Sequence, residues 1–208
     1  GHDPGTPAGP ICPRLDPMTV PHAGGDTALA AVVRSKLTST QRLLGDTITI
    51  SQADWGQPTI LPGWTRAHLA THLARNADVL RQAVERVVAG EPFRLDPDDD
   101  LTDLEQGSRR TPLDLQIDLD TTAGQLTEVF SSLTHQQWQL PAGEGLTIAD
   151  LPLARLNEVV LHHVDLDCGF SFVDIDPQVA RWLLEWNVRR RTDLADRPRI
   201  TLQSSSGY

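Results

Sequence analysis

The stretch NEVVLHHVDL, at positions 157–166, decides the fold and the chemistry that this sequence predicts. Apolar residues surround its helix axis on almost every side, which is typical of a helix inside a bundle. Residues four apart on a helix share a face, so Glu158 and His162 point the same way, whereas His163 lies about 100° further round. A carboxylate and an imidazole are costly to bury unless they are paired or bind a metal.

A second pair of histidines, His68 and His72, is also four residues apart and also lies among apolar residues. The apolar spacing predicts a helix over residues 66–88, with Thr65 as its N-cap. Helical bundles build metal sites from side chains that project inward from facing helices. Two such helices side by side would offer three or four ligands to one divalent cation.

The rest of the chain predicts mainly helical structure, and its first 25 residues carry six prolines. We expect that segment, residues 1–25, to be disordered or left over from cloning. The expected elements are helices over residues 26–45, 66–88, 112–133, 148–167 and 176–188, an exposed loop or lid over 96–110, and a strand over 199–203. The fold class is therefore mainly α, organised as a four-helix bundle.

Charge and composition exclude several classes of partner. The net charge of −10 disfavours a phosphate backbone, so we expect no nucleic acid. No apolar run approaches the roughly 18 residues that a membrane span needs, so we expect no membrane partner. The two cysteines, Cys12 and Cys168, form no CxxC unit, which favours a reducing cytoplasm over an oxidising compartment.

The convergence of His72, Glu158 and His162 would give three ligands and an open position, as in catalytic zinc sites. Imidazole and carboxylate also suit iron, nickel or manganese. The alternative is an ordinary ion pair, because Glu and His four apart on a helix often form one. His68 could be a fourth ligand, although we expect it to support the site. We expect His163 to pack in the interior or to support the site rather than to bind the metal.

Two motifs carry a resemblance to a known family. The stretch LPGWTRAHLATHLARNAD at positions 61–78, together with EVVLHHVDL at positions 158–166, resembles the mycothiol-dependent maleylpyruvate isomerase family of DinB-like metal-binding four-helix bundles. The first motif is long and specific, and the resemblance covers the chain from Asp26 to its end. It implies a DinB-like bundle over residues 26–170. It also implies that residues 171–208 hold a linker helix and the first strand of a small α/β C-terminal domain, cut short here.

The resemblance also implies a chemistry. A divalent metal, usually zinc, would be held by His72, Glu158 and His162, and mycothiol would serve as the thiol cosubstrate. The founding activity of the family is isomerisation of maleylpyruvate by addition of a thiolate, bond rotation and thiolate loss. We therefore expect a metal- and mycothiol-dependent isomerase or S-transferase that acts on a small electrophile. Arg75 is a weak candidate for binding a carboxylate substrate and is more typical of a surface residue.

Two other functions remain open from the sequence. The metal could merely stabilise a bundle that binds another protein, in which case a closed four-ligand sphere including His68 would be expected. Metal-dependent hydrolysis would instead use Glu158 as a base rather than as a ligand. Binding of a thiol would separate a transferase from a hydrolase. The sequence does not predict the electrophile or the oligomeric state.

Overall fold

The structure is a computed structural model that describes residues 26–91, 101–143 and 145–192. Seven α-helices lie in these ranges. They are α1 (Asp26–Thr47), α2 (Arg66–Val88), α3 (Leu101–Ser108), α4 (Pro112–Ser132), α5 (His135–Trp138), α6 (Leu151–Asp165) and α7 (Pro177–Thr192). Two short antiparallel strands, β1 (Pro141–Gly143) and β2 (Leu146–Thr147), precede α6. Single 3-10 turns occur at Asp54–Gly56, Ile148–Asp150 and Phe172–Asp174.

Four long helices, α1, α2, α4 and α6, form a bundle in which each helix has two neighbours. Helix α2 packs against α4 and α6, and α1 packs against α6 and α4. Leucines and alanines of α2 fill the centre, and Leu69, Leu73 and Ala74 have no exposed surface. Burying such side chains supplies roughly 1.5–3 kcal/mol for each large one, which is the main reason that the bundle forms. The mainly α, four-helix prediction is confirmed.

Local sequence signals place the helix ends. Thr65 caps α2, since its Oγ1 accepts a hydrogen bond from the His68 N–H at 3.4 Å, and His68 Nδ1 accepts one in return from the Thr65 N–H at 3.1 Å. Thr111 caps α4, and its Oγ1 accepts from the Asp114 N–H at 3.2 Å, with proline at the first helical position. Before α6, Asp150 Oδ2 accepts from the Thr147 N–H at 2.8 Å. The predicted bounds of α2 and its predicted threonine cap are confirmed.

The prediction of an exposed loop or lid over residues 96–110 is wrong for its second half. Residues 101–108 form α3, which packs along α2. The reason is Leu104, whose side chain is buried and anchors an otherwise polar and acidic segment. Gly107 brings the two helices close, because a Cβ at this position would meet Thr71 Cγ2. Residues 92–100, including the acidic run, lie outside the described part.

Replacement of Gly107 by alanine should destabilise the protein. Thr71 is buried and its Oγ1 donates to the Ala67 carbonyl at 2.9 Å, so its methyl group cannot easily move away. We expect the free energy of unfolding in urea to fall by about 1–3 kcal/mol. Thr71→Ser removes the methyl group and keeps the hydroxyl. The double variant Gly107→Ala with Thr71→Ser should therefore recover most of the lost free energy of unfolding.

Gly124 provides the matched control, since it lies inside α4 and no atom stands within 4 Å of the point that an added Cβ would occupy. Gly124→Ala should stabilise the protein by up to about 1 kcal/mol through helix propensity. Equal stability of the parent and the Gly107→Ala variant would contradict the close approach of α3 to α2.

Helix α7 completes the interior on the side of α6. Val179, Trp182 and Trp186 are buried against α6 residues such as Leu156 and Val160. The helix predicted over residues 176–188 is therefore confirmed, and it extends to Thr192. The strand predicted over residues 199–203 lies outside the described residues, and the proposed domain division stays a prediction. Among the described residues, no helix has the length and apolar character needed to cross a membrane.

Candidate metal centre

Helices α2 and α6 run antiparallel, and their contacts fix which residues meet. Arg66, at the start of α2, donates from Nε to the carbonyl of Leu166, at the end of α6, at 2.6 Å. Further along, His72 faces Glu158, which is 86 positions away in the sequence. This pairing brings the two histidine motifs of the sequence to one place between the helices.

His72, Glu158 and His162 form a compact triad of possible ligand atoms. Glu158 Oε2 lies 3.1 Å from His72 Nε2 and 3.3 Å from His162 Nε2. One ligand atom from each of the three residues lies within 4.8 Å of the others, and the described residues contain no other such group of histidine, cysteine or acidic side chains. The two imidazole rings meet edge to face, with centroids 4.9 Å apart. The expected convergence is therefore present in the structure.

The triad is partly open to solvent. The side chains of His72, Glu158 and His162 are 16%, 28% and 19% exposed. The side chains of the triad are therefore partly accessible to solvent, as the open position of a catalytic metal site requires. Trp64 lines this region, with its ring centroid 5.5 Å from that of His72 in an edge arrangement.

Asp165 orients His162, and the sequence analysis did not single it out. Its Oδ2 lies 2.8 Å from His162 Nδ1 and accepts a hydrogen bond from that nitrogen, so Nε2 is the ring nitrogen that faces the triad. A carboxylate that holds the second ring nitrogen is a recurrent companion of metal-binding histidines. Asp165 follows His162 by three positions on the same helix, and that spacing was the signal that could have identified it.

Charge at the triad favours an ionised Glu158. Burial opposes ionisation, but hydrogen bonds with His162 and His72, together with their positive charges, outweigh it and hold the pKa of the Glu158 carboxyl far below its usual range. Glu158 is thus an anion at every pH at which the protein would work. An anion beside two imidazoles suits a cation ligand, whereas a carboxyl with so low a pKa makes a weak general base.

The other histidines of the two motifs lie apart from the triad. His68 caps α2 through Thr65, and its Nε2 lies 3.4 Å from Glu105 Oε1 on α3. His163 is buried on another side of α6, where its ring stacks on Phe170 at a centroid distance of 4.1 Å. These positions agree with the expectation that His163 packs, and they give His68 a role at the helix start.

Arg75, the candidate for binding a carboxylate substrate, is turned toward α4. Its Nη2 donates to Asp118 Oδ2 at 3.1 Å, and Arg110 donates to the same oxygen at 2.6 Å. Arg75 is therefore paired with a carboxylate of the protein itself. A role for Arg75 in binding a carboxylate substrate stays a prediction.

The donor set fits a divalent metal. Two imidazole nitrogens and one carboxylate oxygen are the ligands that zinc takes in open catalytic sites, and the same set suits other first-row metals. The ligands come from two helices held by many other contacts, so the arrangement does not depend on a flexible loop. Helical packing and this triad together define the class of protein: a four-helix bundle with a candidate metal centre between α2 and α6.

Comparison with known proteins identifies the family. Residues 37–167, more than half of the chain, match the sequence profile described as the mycothiol maleylpyruvate isomerase N-terminal domain. The chain therefore belongs to this family. The comparison with curated proteins gave no match.

Two solved structures share the fold. One is mycothiol-dependent maleylpyruvate isomerase, with 23% identity, a TM-score of 0.68, and coverage of 74% of this chain and 67% of the other. The second is a single-residue mutant of mycothiol-dependent maleylpyruvate isomerase, with 22% identity and the same TM-score and coverage. At this sequence identity the two structures are evidence for the fold alone. The shared fold agrees with the one that the two motifs implied.

Proposed function

We propose that this protein is a metal-dependent and mycothiol-dependent isomerase or S-transferase that acts on a small electrophile in the cytoplasm. His72, Glu158 and His162 are the proposed metal ligands, and zinc is the proposed metal. The observation that carries the proposal is the convergence of these three ligand atoms, partly open to solvent, in a chain of this family.

A bound divalent cation would lower the pKa of a thiol that occupies its open position. The residues of the chain prepare that position. Asp165 accepts a hydrogen bond from Nδ1 of His162, and ionised Glu158 supplies the negative charge that offsets part of the charge of the cation. Trp64 places an aromatic ring edge-on beside His72.

The chain does not supply its own reactive thiol within the described residues. Burial, with the nearby negative charge of Asp46, raises the pKa of the Cys168 thiol to about 11. A thiol with this pKa stays protonated near neutral pH and is a poor nucleophile. Cys168 is therefore a poor source of a thiolate, which is consistent with the proposed use of mycothiol as a cosubstrate.

Binding of mycothiol to the cobalt-substituted protein tests the function directly. Cobalt replaces zinc in such sites, and a thiolate bound to it gives a charge-transfer absorption band. We expect this band to appear on titration with mycothiol and to be absent with S-methyl mycothiol, which has the same shape but no ionisable thiol. Formation of fumarylpyruvate from maleylpyruvate would then identify the substrate.

The hydrolase hypothesis gives a different result. A protein that binds cobalt but shows no charge-transfer band at saturating mycothiol would contradict the thiol-dependent function. Loss of the band in the His162→Ala variant, with the helix content unchanged, would connect thiol binding to the triad.

A further inference from the structure

Arg155 is a cation in the interior of the bundle. It lies on α6, one turn before Glu158, and its residue surface is only 2% exposed. Its Nη1 donates to the carbonyl of Leu73 and to Oδ1 of Asn76, both at 2.8 Å. Both acceptors are neutral, and both belong to α2. Arg155 therefore joins the two helices that carry the proposed metal ligands.

The position of this contact relative to the triad is specific. Leu73 follows His72 directly, and Asn76 lies one turn beyond His72 on the same side of α2. On the opposite side of the triad, Arg66 donates from Nη2 to the carbonyl of Asp167 at 3.0 Å. The triad thus lies between two arginine contacts that both join α2 to α6, and the contact of Arg155 is the buried one.

We infer that Arg155, together with Asn76, is a positioning residue that sets the register of α6 on α2 so that His72 meets Glu158 and His162. A shift of α6 by a fraction of a turn would separate Nε2 of His72 from the two ligands on α6. The inference rests on the proposed metal site, and it assigns a residue outside the two motifs to the building of that site.

Position and charge predict opposite effects for the loss of Arg155. Burial lowers its pKa to about 10 while the charge of Glu158 acts the other way, so Arg155 remains a cation near neutral pH. A cation close to a metal site repels the metal, so removal of its charge alone would tighten metal binding. Removal of a positioning contact would weaken metal binding, typically by about 10–100-fold.

Lys36 offers a matched control. It is as deeply buried as Arg155, and its Nζ donates to Thr127 Oγ1 at 2.7 Å, which joins α1 to α4 rather than α2 to α6. The charge of Arg155 contributes to the low pKa of Lys36, so the two cations lie in the same electrostatic environment. Lys36→Met therefore removes a buried cation without removing the contact at the triad.

The experiment measures zinc affinity by competition with a chromophoric chelator in the parent, Arg155→Met, Arg155→Lys and Lys36→Met proteins. We expect a loss of about 10–100-fold for Arg155→Met and a smaller loss for Arg155→Lys, which can still donate to the Leu73 carbonyl. Lys36→Met should bind zinc as tightly as the parent or more tightly. Equal or tighter binding by Arg155→Met would overturn the inference.

Two further measurements keep the test decisive. If Arg155→Met does not fold, Asn76→Ala removes one acceptor and leaves the arginine in place, and its zinc affinity should fall about fivefold; an unchanged affinity would overturn the inference. In the metal-free proteins, the imidazole NMR signals of His72 and His162 should shift in Arg155→Met but not in Lys36→Met. If the parent protein itself binds no zinc, the proposed function fails. The imidazole NMR signals of His72 and His162 in the metal-free proteins then decide whether Arg155 positions the triad.

Discussion

His162→Ala should abolish stoichiometric zinc binding. The substitution removes one of three ligand atoms, and the loss should exceed the roughly 10–100-fold that a supporting residue contributes. The bundle should remain folded, because His162 is partly exposed and the core around Leu69 and Leu73 does not involve it. The metal content of the purified protein, measured beside its circular dichroism, checks both expectations. His72→Ala should behave in the same way.

Two controls separate the triad from its neighbours. His68→Ala should keep one equivalent of zinc, since His68 caps α2 instead of joining the triad. His163→Ala should also keep its zinc, although the loss of a ring stacked on Phe170 should lower the stability. Full zinc occupancy in His162→Ala would show that the ligand set is wrong. Loss of zinc in His68→Ala would support the four-ligand, structural alternative.

The stability of the protein should rise at alkaline pH because of Lys36. Burial, with the nearby charge of Arg155, lowers the pKa of Lys36 from 10.5 to about 8. Below about pH 8 the side chain is protonated in both states, and the folded state bears the cost of the buried charge. Between about pH 8 and 10.5 the unfolded chain binds more protons than the folded protein, so the free energy of unfolding increases with pH.

The difference between the parent and Lys36→Met isolates this effect. Other groups titrate in the same range, including Cys168, but they do so in both proteins and largely cancel. We expect the parent to become more stable relative to the variant by up to about 3 kcal/mol between pH 7 and pH 10.5. Urea unfolding at a series of pH values measures it. A constant difference across this range would show that Lys36 keeps its ordinary pKa in the folded state.

The sequence predicted the parts of the fold that depend on local signals. The bounds of α2 follow from its threonine cap and its apolar spacing, and the structure reproduces them at both ends. The triad was also predictable, because His72 and the Glu158–His162 pair each lie on the apolar side of a helix. What remained open was whether the two sides face each other, since that depends on how the helices pack.

Buried polar contacts were beyond the reach of the sequence. Periodicity assigns arginine and lysine to the surface, yet Arg155 and Lys36 are inside. Their long stems pack with apolar neighbours, and only the three-dimensional arrangement supplies acceptors such as the Leu73 carbonyl. Helix α3 was missed for a related reason. One buried leucine and one close approach at Gly107 decide its packing, and both depend on the surface of α2.

The antiparallel pairing of α2 and α6 makes the triad a cross-link between distant parts of the chain. His72 and Glu158 are separated by 86 positions, so a cation held by both would close a long loop of the chain. Once held, it would oppose the separation of α6 from α2 much as a disulfide bond across a long loop opposes unfolding. Metal loading would thereby change the lifetime of the folded chain as well as its chemistry.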